Sequence, residues 1–482
     1  MRVAYCCIGS RGDTQPHIAF CVELARAGHT VRLWQAPDYV DLVPPGVPGL
    51  QIFTSSSTCA SVMERLAPIF AKGDSGGAVH AIFDEQARSF ASDADSILAM
   101  CENWADVVVA STLTTNMCLA VAEVLQIKLV RTHVQPILPT SEFHVILPFT
   151  PPKWINLFIW MLLFKTATPP KLMNAITDWK RRHGCHTPVL NPWKATYYYD
   201  FPTINGFSPS SFPVPADWDC FDQVTTGDWI LSSDDLPEKP SPSLSKFLAE
   251  SKTPPVYIGW GSMVYASGEH MTELAVRALY KAGLRGILFR GSSHNSKFDL
   301  SLDKLDASKH DAKELLAWAQ ANVLVLNGVS HEWLFPQVSA ICHHGGAGTS
   351  AAAMRSGSPS IVTPFTLDQF GYARISKDSG LGPGLLPQFS KLTADVLAAA
   401  LTEAVMDPSY KAGAQKVRER MLDERGTRAA VKALEHFYKT RDLWKERALR
   451  EETGTALAVE PPSFICCCAS QKARRMSNQV IQ

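Results

Sequence analysis

Short continuous apolar runs alternate along this chain with stretches whose apolar residues recur at helical spacing. The first run, Val3–Ile8, precedes a helix pattern from His17 to Ala27, and a second run follows at Thr30–Gln35. Strands that are buried on both faces of a parallel sheet give such continuous runs, and helices connect them. The start of the chain therefore predicts a βαβ unit within a doubly wound α/β sheet.

The same alternation begins again after a proline-rich stretch. Prolines fall at positions 237, 240, 242, 254 and 255, and a new apolar run, Val256–Gly259, follows them. Further strands are predicted at Gly286–Arg290, Val323–Leu326, Ser339–Cys342 and Ser360–Thr363. We therefore predict an N-terminal domain at 1–235, a linker at 236–255, a C-terminal domain at 256–450 and a tail at 451–482 that we expect to be disordered.

The first domain contains one region without a clear period. Between positions 38 and 95 the sequence is rich in small polar residues, and the segment from Gly73 to Gly77 is interpreted as a mobile loop. A helix is predicted at Phe90–Trp104, and strands are predicted at Val107–Ala110 and Lys128–Thr132. These elements extend the doubly wound sheet.

Composition narrows the class of protein. The 482 residues include 46 Lys and Arg against 46 Asp and Glu, so no overall field attracts nucleic acid. Twelve cysteines form no disulfide framework, which favours a reducing, cytoplasmic compartment. The longest apolar run, Ile155–Phe164, is about half of the roughly 20 residues that a membrane-spanning helix needs. We expect a soluble protein, and peripheral contact with membranes remains open.

The most informative stretch runs from Ser339 to Ile375. After a predicted strand, the sequence HHGGAGT turns into a helix, and such a turn directs backbone N–H groups and the positive end of a helix dipole at a phosphate. The pair Asp368-Gln369 follows the next strand and can bond to sugar hydroxyls. A tight connection without a ligand is the alternative, but the second polar group at the same sheet edge favours a binding site.

The first strand is followed by another glycine-containing turn, GSRGDTQP, from Gly9 to Pro16. It lacks the GxGxxG spacing of a dinucleotide site. Asp13 lies where the strand ends and the helix begins, so its carboxylate can accept the proton of an attacking alcohol. It can equally cap the helix. The residues themselves leave both roles open.

HHGGAGTSAAAMRSG, followed by PF and DQ, together with GSRGDTQP, resembles the family 1 UDP-glycosyltransferases, closest to the sterol glucosyltransferase branch. The resemblance implies the GT-B fold, in which two Rossmann-like doubly wound domains face each other across a cleft. It implies transfer of a sugar, with inversion, from a UDP-sugar to a hydroxyl of a hydrophobic small molecule such as a sterol or terpenoid. No cofactor beyond the UDP-sugar is expected and no metal, since the donor stretch has no Asp-x-Asp motif.

The resemblance also implies roles for individual residues. Asp13 would be the catalytic base, and His343 with the backbone of the glycine turn would hold the diphosphate. The segment SHEWLFP resembles the family's PHDWLFP, which frames the uracil, although Ser330 and Glu332 replace Pro and Asp. The donor-side residues are Gly261, Ser262, His331, Trp333, His343, Gly345, Gly346, Ala347, Gly348, Thr349, Asp368 and Gln369. The acceptor-side residues are Ser10, Arg11, Gly12, Phe143 and His144, with His144 in place of the family's proline.

Several alternatives stay open at this point. Core packing is the alternative for Trp333, and a buried structural histidine is the alternative for His343. The apolar stretch Trp154–Phe164 is either a core helix or a wall of an acceptor pocket that also touches a bilayer. The charged helix predicted at Arg428–Arg450 either crosses back to the first domain or stays solvated. In the tail, Cys466, Cys467 and Cys468 are candidates for acylation beside basic residues.

Two other functions fit the same pattern: a UDP-sugar epimerase of GT-B fold, and a protein that binds lipid or nucleotide sugar without catalysis. The sequence does not identify the acceptor, the sugar, the oligomeric state or the pathway.

Overall fold

The computed structural model describes residues 1–453 except positions 71, 73, 145, 146, 148, 150, 167, 232–234, 236–239, 264, 292–299 and 307. The candidate acylation sites Cys466, Cys467 and Cys468 lie outside the described residues, as does most of the tail. Of the predicted linker, positions 236–239 are likewise outside. The predicted domain boundaries therefore stay a prediction.

The first half of the chain builds one parallel sheet. Its strands are β1 (Arg2–Cys6), β2 (Thr30–Gln35), β3 (Leu50–Thr54), β4 (Val107–Ala110), β5 (Lys128–His133), β6 (Thr203–Asn205) and β7 (Gln223–Thr225). Among the described residues their order is β3-β2-β1-β4-β5-β6-β7, and β1 pairs in parallel with both β2 and β4. Alternate residues enter different cores: Val3 and Tyr5 pack on one face and Ala4 and Cys6 on the other. Burial on both faces explains the continuous apolar runs.

A second parallel sheet follows in the second half of the chain. Its strands are β8 (Val256–Gly259), β9 (Gly286–Phe289), β10 (Val323–Leu326), β11 (Ala340–His343) and β12 (Ser360–Val362). Within the described part of the chain their order is β10-β9-β8-β11-β12. The doubly wound α/β arrangement with two sheets, expected from the repeated alternation, is confirmed.

Helices cover both sheets. They are α1 (Arg11–Arg26), α2 (Cys59–Phe70), α3 (Ser75–Cys101), α4 (Thr115–Leu125), α5 (Lys153–Thr166), α6 (Pro170–Arg182), α7 (Pro192–Tyr199), α8 (Pro242–Ala249), α9 (Gly268–Ala282), α10 (Ala312–Asn322), α11 (His331–Leu334), α12 (Ala347–Ser356), α13 (Gln369–Asp378), α14 (Ala394–Met406), α15 (Pro408–Leu422), α16 (Gly426–Thr440) and α17 (Leu443–Thr453). No helix of the described residues is long and apolar enough to cross a membrane.

The region between 38 and 95 differs from its expected irregular structure. It contains β3, α2 and most of α3, and α3 begins at Ser75, inside the segment expected to be a mobile loop. Asp74 caps this helix by accepting a hydrogen bond from Gly76 N at 3.0 Å. Leu66 and Phe70 of α2 are buried in the core of the second sheet, so this part of the first half packs on the second.

The C-terminal helices pack on the first half of the molecule. Val431, Leu434 and Phe437 of α16 lie in the core of the first sheet, and Trp444 of α17 lies in the core on its other face. The crossing back to the first half is therefore confirmed, although the expected single helix is divided at Arg441. The two halves of the sequence thus exchange helices.

Candidate active site

The carboxyl ends of the two sheets face each other across a cavity of about 940 Å³. In each sheet the strand order changes direction between two strands: β1 and β4 in the first, β8 and β11 in the second. Ligands of open α/β sheets bind at such points. The turns after β1, β8 and β11 all contribute to the cavity lining. A Cβ atom placed on Gly348 of α12 would lie 3.0 Å from the carbonyl oxygen of Gly12 in α1, so the two helix N-termini nearly touch.

Asp13 lies in the first turn of α1 and lines the cavity. Its Oδ2 accepts hydrogen bonds from Ser10 N and Ser10 Oγ, both at 2.9 Å, and its Oδ1 accepts one from Gln135 Nε2 at 2.7 Å. The carboxylate therefore does cap its helix. A carboxylate has about four acceptor directions, so three bonds leave room for one more. Capping and proton acceptance are compatible here.

The glycine-rich turn after β11 is shaped for close approach. Gly345 has φ of 91°, and a Cβ atom there would lie 2.7 Å from Val362 Cγ1, so only glycine fits. The first hydrogen bond of α12 that returns into the turn runs from Ser350 N to Gly346 O at 2.9 Å. The N–H groups of Ala347, Gly348 and Thr349 precede it at the positive end of the helix dipole. This is an anion-binding geometry.

The two histidines of the turn have different surroundings. His343 is fully buried; its Nδ1 accepts from Gly345 N at 3.2 Å, so its Nε2 carries the proton and donates to Ser360 Oγ at 2.8 Å. Burial lowers the pKa of His343 to about 3. The ring is thus engaged within the protein, and its expected diphosphate contact stays a prediction without geometric support. His344 lines the cavity, and its Nδ1 is buried without a hydrogen-bond partner among the described residues.

Asp368 and Gln369 lie at the start of α13 and both line the cavity. Burial, followed by the nearby charge of Asp13, raises the pKa of Asp368 to about 7, and both carboxylates line the same cavity. Gln369 Oε1 accepts from Phe365 N at 2.7 Å and from Thr366 N at 3.2 Å, so its amide braces the preceding loop. Of the two, Asp368 is better placed to meet a sugar.

Proteins with related sequences are glycosyltransferases. Residues 304–437 match the family described as "Erythromycin biosynthesis protein CIII-like, C-terminal domain". The sterol 3-beta-glucosyltransferase of Debaryomyces hansenii is 29% identical over 440 residues, which are 89% of this chain and 26% of that protein. UDP-sugar-dependent glycosyltransferase 52 of Dictyostelium discoideum is 27% identical over 463 residues, 91% of this chain and 26% of the relative. The chain therefore spans about a quarter of the length of these two curated relatives.

Solved structures give the fold. The glycosyltransferase VinC in complex with DTDP has a TM-score of 0.60 and 18% identity over 92% of this chain and 100% of VinC. The spinosyn forosaminyltransferase SpnP has a TM-score of 0.59 and 18% identity over 91% of this chain and 99% of SpnP. The chain has the GT-B fold, and its sequence is similar to those of glycosyltransferases. The resemblance and the fold class expected from the sequence are confirmed.

Of the other predicted donor-side residues, some line the cavity of this GT-B fold and one does not. Gly261, Ser262 and His331 line the cavity, and His331 Nε2 lies 3.1 Å from Tyr257 Oη. Trp333 lies outside the cavity lining formed by the described residues and packs on the apolar cluster beside the second sheet. Core packing, the alternative weighed from the sequence, is thus what the geometry supports for Trp333.

The predicted acceptor-side residues likewise divide into those that line the cavity and those that do not. Ser10, Arg11 and Gly12 line the cavity. Burial, followed by the nearby cation of Arg11, lowers the pKa of His331 to about 3, so Arg11 lies close to a residue of the second half of the molecule. Phe143 and His144 lie behind the lining: His144 stacks on Trp160 with ring centroids 4.8 Å apart, and Phe143 O accepts from Trp160 Nε1 at 3.1 Å.

Helix α5 forms an apolar wall of this GT-B cavity. Trp160, Leu163 and Phe164 line the cavity from one face of the helix. On the other face Trp154, 76% exposed, and Phe158 reach solvent. The inner face of the helix both joins an apolar core cluster and lines the cavity, so the core interpretation holds for that face and the wall interpretation is also supported.

Sequence reasoning missed several residues of the GT-B site. Gln135 orients Asp13, yet it lies two residues beyond β5 without a recognisable motif. Ser75 Oγ lies 2.9 Å from Thr366 Oγ1 and accepts from Leu367 N at 3.1 Å, which braces the loop before Asp368 from the other half of the molecule. The signal for Gln135 was its place after a strand, at the sheet edge that carries the other site residues. Nothing local in the sequence indicates the Ser75 contact.

Proposed function

We propose that this protein is an inverting glycosyltransferase that moves a sugar from a UDP-sugar to a hydroxyl of a hydrophobic small molecule such as a sterol or terpenoid. The observation that carries the proposal is the meeting of Asp13 and the α12 turn at one cavity, where Gly12 and Gly348 nearly touch. A carboxylate and an anion-binding helix N-terminus then lie on opposite sides of a single reacting carbon. The apolar wall of α5 fits a lipophilic alcohol.

The proposed reaction uses these groups in one displacement. Asp13 accepts the proton of the acceptor hydroxyl as that oxygen bonds to the anomeric carbon, and the bond from this carbon to the diphosphate oxygen breaks. The electron pair leaves with UDP, whose charge is stabilised by the N–H groups of Ala347 to Thr349 and by the Arg11 cation. Asp368 binds sugar hydroxyls. Orienting donor and alcohol in one cleft contributes much of the acceleration.

The relatives' names support the donor and acceptor classes. Sterol 3-beta-glucosyltransferases and a UDP-sugar-dependent glycosyltransferase match most of this chain. An epimerase would need the diphosphate site but not the apolar wall. For that reason transfer to a lipophilic alcohol is the better proposal.

A screen of UDP-sugars against sterols, terpenoid alcohols and other lipophilic alcohols, analysed by mass spectrometry, tests this function directly. We expect a glycoside whose anomeric configuration is opposite to that of the donor. A parallel incubation with donor alone detects epimerisation as a new UDP-sugar. Absence of both products, with UDP bound, would instead favour a binding protein.

Asp13→Asn tests the mechanism, because Asn keeps an acceptor for Ser10 but cannot take a proton. A general base contributes about 10²- to 10⁴-fold, so transfer should fall by that factor. Ser10→Ala is the matched control: it removes one of the hydrogen bonds to Oδ2 and leaves the carboxylate, so it should cost much less. Wild-type transfer by the Asp13→Asn variant would remove Asp13 from the mechanism.

We also propose that the outer face of α5 contacts membranes. Trp154, Phe158 and Leu162 are 76%, 47% and 50% exposed and follow one another at intervals of four residues, while Lys153 and Lys165 are exposed at the two ends of the helix. An amphipathic face with basic ends suits an anionic lipid surface. Sedimentation with vesicles containing phosphatidylserine should carry the protein down, and Trp154→Glu should prevent this. Equal sedimentation of both proteins would refute the contact.

A further inference from the structure

The acceptor side of the cavity continues past Asp13 along strand β5. Arg131 and His133 lie on this strand and Gln135 lies just beyond it, and all three line the cavity. Successive side chains of a strand point to opposite faces, so positions two apart share one face. A polar track therefore leads from the Gln135–Asp13 hydrogen bond to Arg131. Four residues of extended chain span at most about 14 Å.

Arg131 is a buried cation at the inner end of this track. It is 6% exposed, and its hydrogen bonds to the described residues go to hydroxyl oxygens: to Thr203 Oγ1 at 3.3 Å and to Thr196 Oγ1 at 3.4 Å. Its guanidinium also lies 4.9 Å from the ring centroid of Phe201. Burial lowers the pKa of Arg131 to about 10, and the more distant charge of Asp200 opposes this only in part. Buried charges are normally paired.

A second buried cation of the cavity lining, Lys180, has a carboxylate partner within the protein. Lys180, 2% exposed, forms an ion pair with Glu123 and donates to Thr187 O at 2.8 Å. Glu123 in turn accepts from Tyr199 Oη at 2.7 Å and from Arg447 at 3.3 Å. Lys180 is thus neutralised by a directly bonded carboxylate. Within the described part of the chain, Arg131 has no hydrogen-bonded carboxylate.

His133 adds a second polar atom that the protein does not use. Its Nδ1 lies 2.8 Å from Thr112 Oγ1, and its Nε2 is buried with no hydrogen-bond partner among the described residues. Burial, followed by the Arg131 charge, lowers the pKa of His133 well below its usual range, so the ring is neutral. An unpaired ring nitrogen and an underused guanidinium therefore line the same end of the cavity.

We propose that this inner end binds a carboxylate at the far end of the acceptor, with Arg131 as its ion partner and His133 Nε2 as a further hydrogen-bonding group. The proposal rests on the proposed function and narrows its substrate class. The acceptor is an elongated apolar hydroxy acid whose hydroxyl reaches Asp13 while its carboxylate reaches Arg131. A molecule with a hydrocarbon far end, such as a simple sterol, leaves the guanidinium unpaired.

Direct binding without donor tests the proposal independently of transfer. The probes are a series of ω-hydroxy fatty acids of increasing chain length and the methyl ester of each, measured by calorimetry or by quenching of tryptophan fluorescence. A hydrogen-bonded charge pair predicts that the wild-type protein binds the best acid about ten- to a hundredfold more tightly than its ester. Equal affinity for acid and ester would overturn the proposal without any variant.

Variants then locate the preference. Arg131→Met should bind acid and ester equally, and Arg131→Lys should restore part of the preference because it keeps the charge. Leu163→Ala, on the apolar wall, is the control and should weaken acid and ester alike. An Arg131→Met protein that folds and still prefers the acid would refute the site. Acid binding without transfer from any UDP-sugar would support this site and reject the transferase function. Transfer to sterols with no preference for the acid would support the transferase function and reject this site.

Discussion

Replacing Gly348 by alanine tests whether the active site requires the close approach of α1 and α12. The new Cβ atom would lie 3.0 Å from Gly12 O and 3.1 Å from Gly12 Cα. Both atoms belong to the backbone, so no side chain can rotate away, and the helices must separate by a few tenths of an ångström. The matched variant is Gly12→Ala, whose Cβ atom would have its nearest contacts, with Gly348 N and Ser10 Oγ, at 3.7 Å.

The magnitude follows from packing energies. Forcing extra atoms into a close-packed contact costs about 1–3 kcal/mol. Since about 1.4 kcal/mol corresponds to a factor of ten, this disfavours the closed cleft about 5- to 150-fold. Alanine also gains about 1 kcal/mol over glycine within a helix, which offsets part of the loss in overall stability. We therefore expect Gly348→Ala to lower transfer much more than it lowers the melting temperature.

The assay compares three quantities for wild type, Gly348→Ala and Gly12→Ala: kcat for transfer, the Kd for UDP and the melting temperature. Gly348→Ala should lower kcat at least fivefold, and Gly12→Ala should stay close to wild type. A fall confined to UDP affinity would indicate damage to the turn rather than to closure. If both variants had wild-type kcat, the contact between the two helices would not belong to the catalytic state.

Three further results are expected. Trp160→Ala should lower the free energy of unfolding by about 3–5 kcal/mol in urea titrations and weaken acceptor binding, because the ring is 1% exposed, whereas Trp154→Ala, 76% exposed, should change stability by less than about 0.5 kcal/mol. His344→Ala should weaken UDP binding in calorimetry, while His343→Ala should mainly lower stability, by about 1–3 kcal/mol, since it breaks two buried hydrogen bonds. The folded-state pKa of Asp368 is about 7 against an ordinary value of 3.8, so its contribution to the free energy of unfolding is lost as the pH rises from 3.8 to about 7. The Asp368→Asn variant should lose less stability over this range, as measured by unfolding at a series of pH values.

The strands of the two cores could be predicted because burial on both faces makes their sequences apolar throughout. The bounds of β2, β4, β8 and β10 agree with the predicted runs. Strand β3 was missed because it is half-exposed, with Gln51 and Ile52 at the surface, and so lacks a continuous run. Strands β6 and β7, of three residues each, are too short to show a period. Exposure hides the pattern of β3, and shortness hides the patterns of β6 and β7.

The sequence predicts which turns form the candidate site, but it does not predict which side chains of those turns face the cavity. The turns after β1, β8 and β11 line the cavity as expected. His343 and His344 are adjacent at the end of a strand, where neighbouring side chains point in opposite directions. The motif shows that two histidines are present but not which of them faces the cavity. The contact was expected from His343, whereas His344 lines the cavity. Gln135 and Arg131 were missed because their positions depend on which strands lie side by side.

Helix α2 lines the cavity and packs on the second sheet at the same time. Its residues Val62, Met63, Leu66 and Phe70 line the cavity, and Leu66 and Phe70 are at the same time buried in the core of the second sheet. A movement that opens the cleft must either carry α2 with the second half or expose these side chains to water, which costs roughly 1.5–3 kcal/mol for each. The cheaper course is for α2 to move with the donor-binding half. The apolar lining that α2 adds to the cavity is then complete only when the halves are closed. Under the proposed function we therefore expect donor and acceptor binding to be coupled, and by reciprocity each should tighten the other.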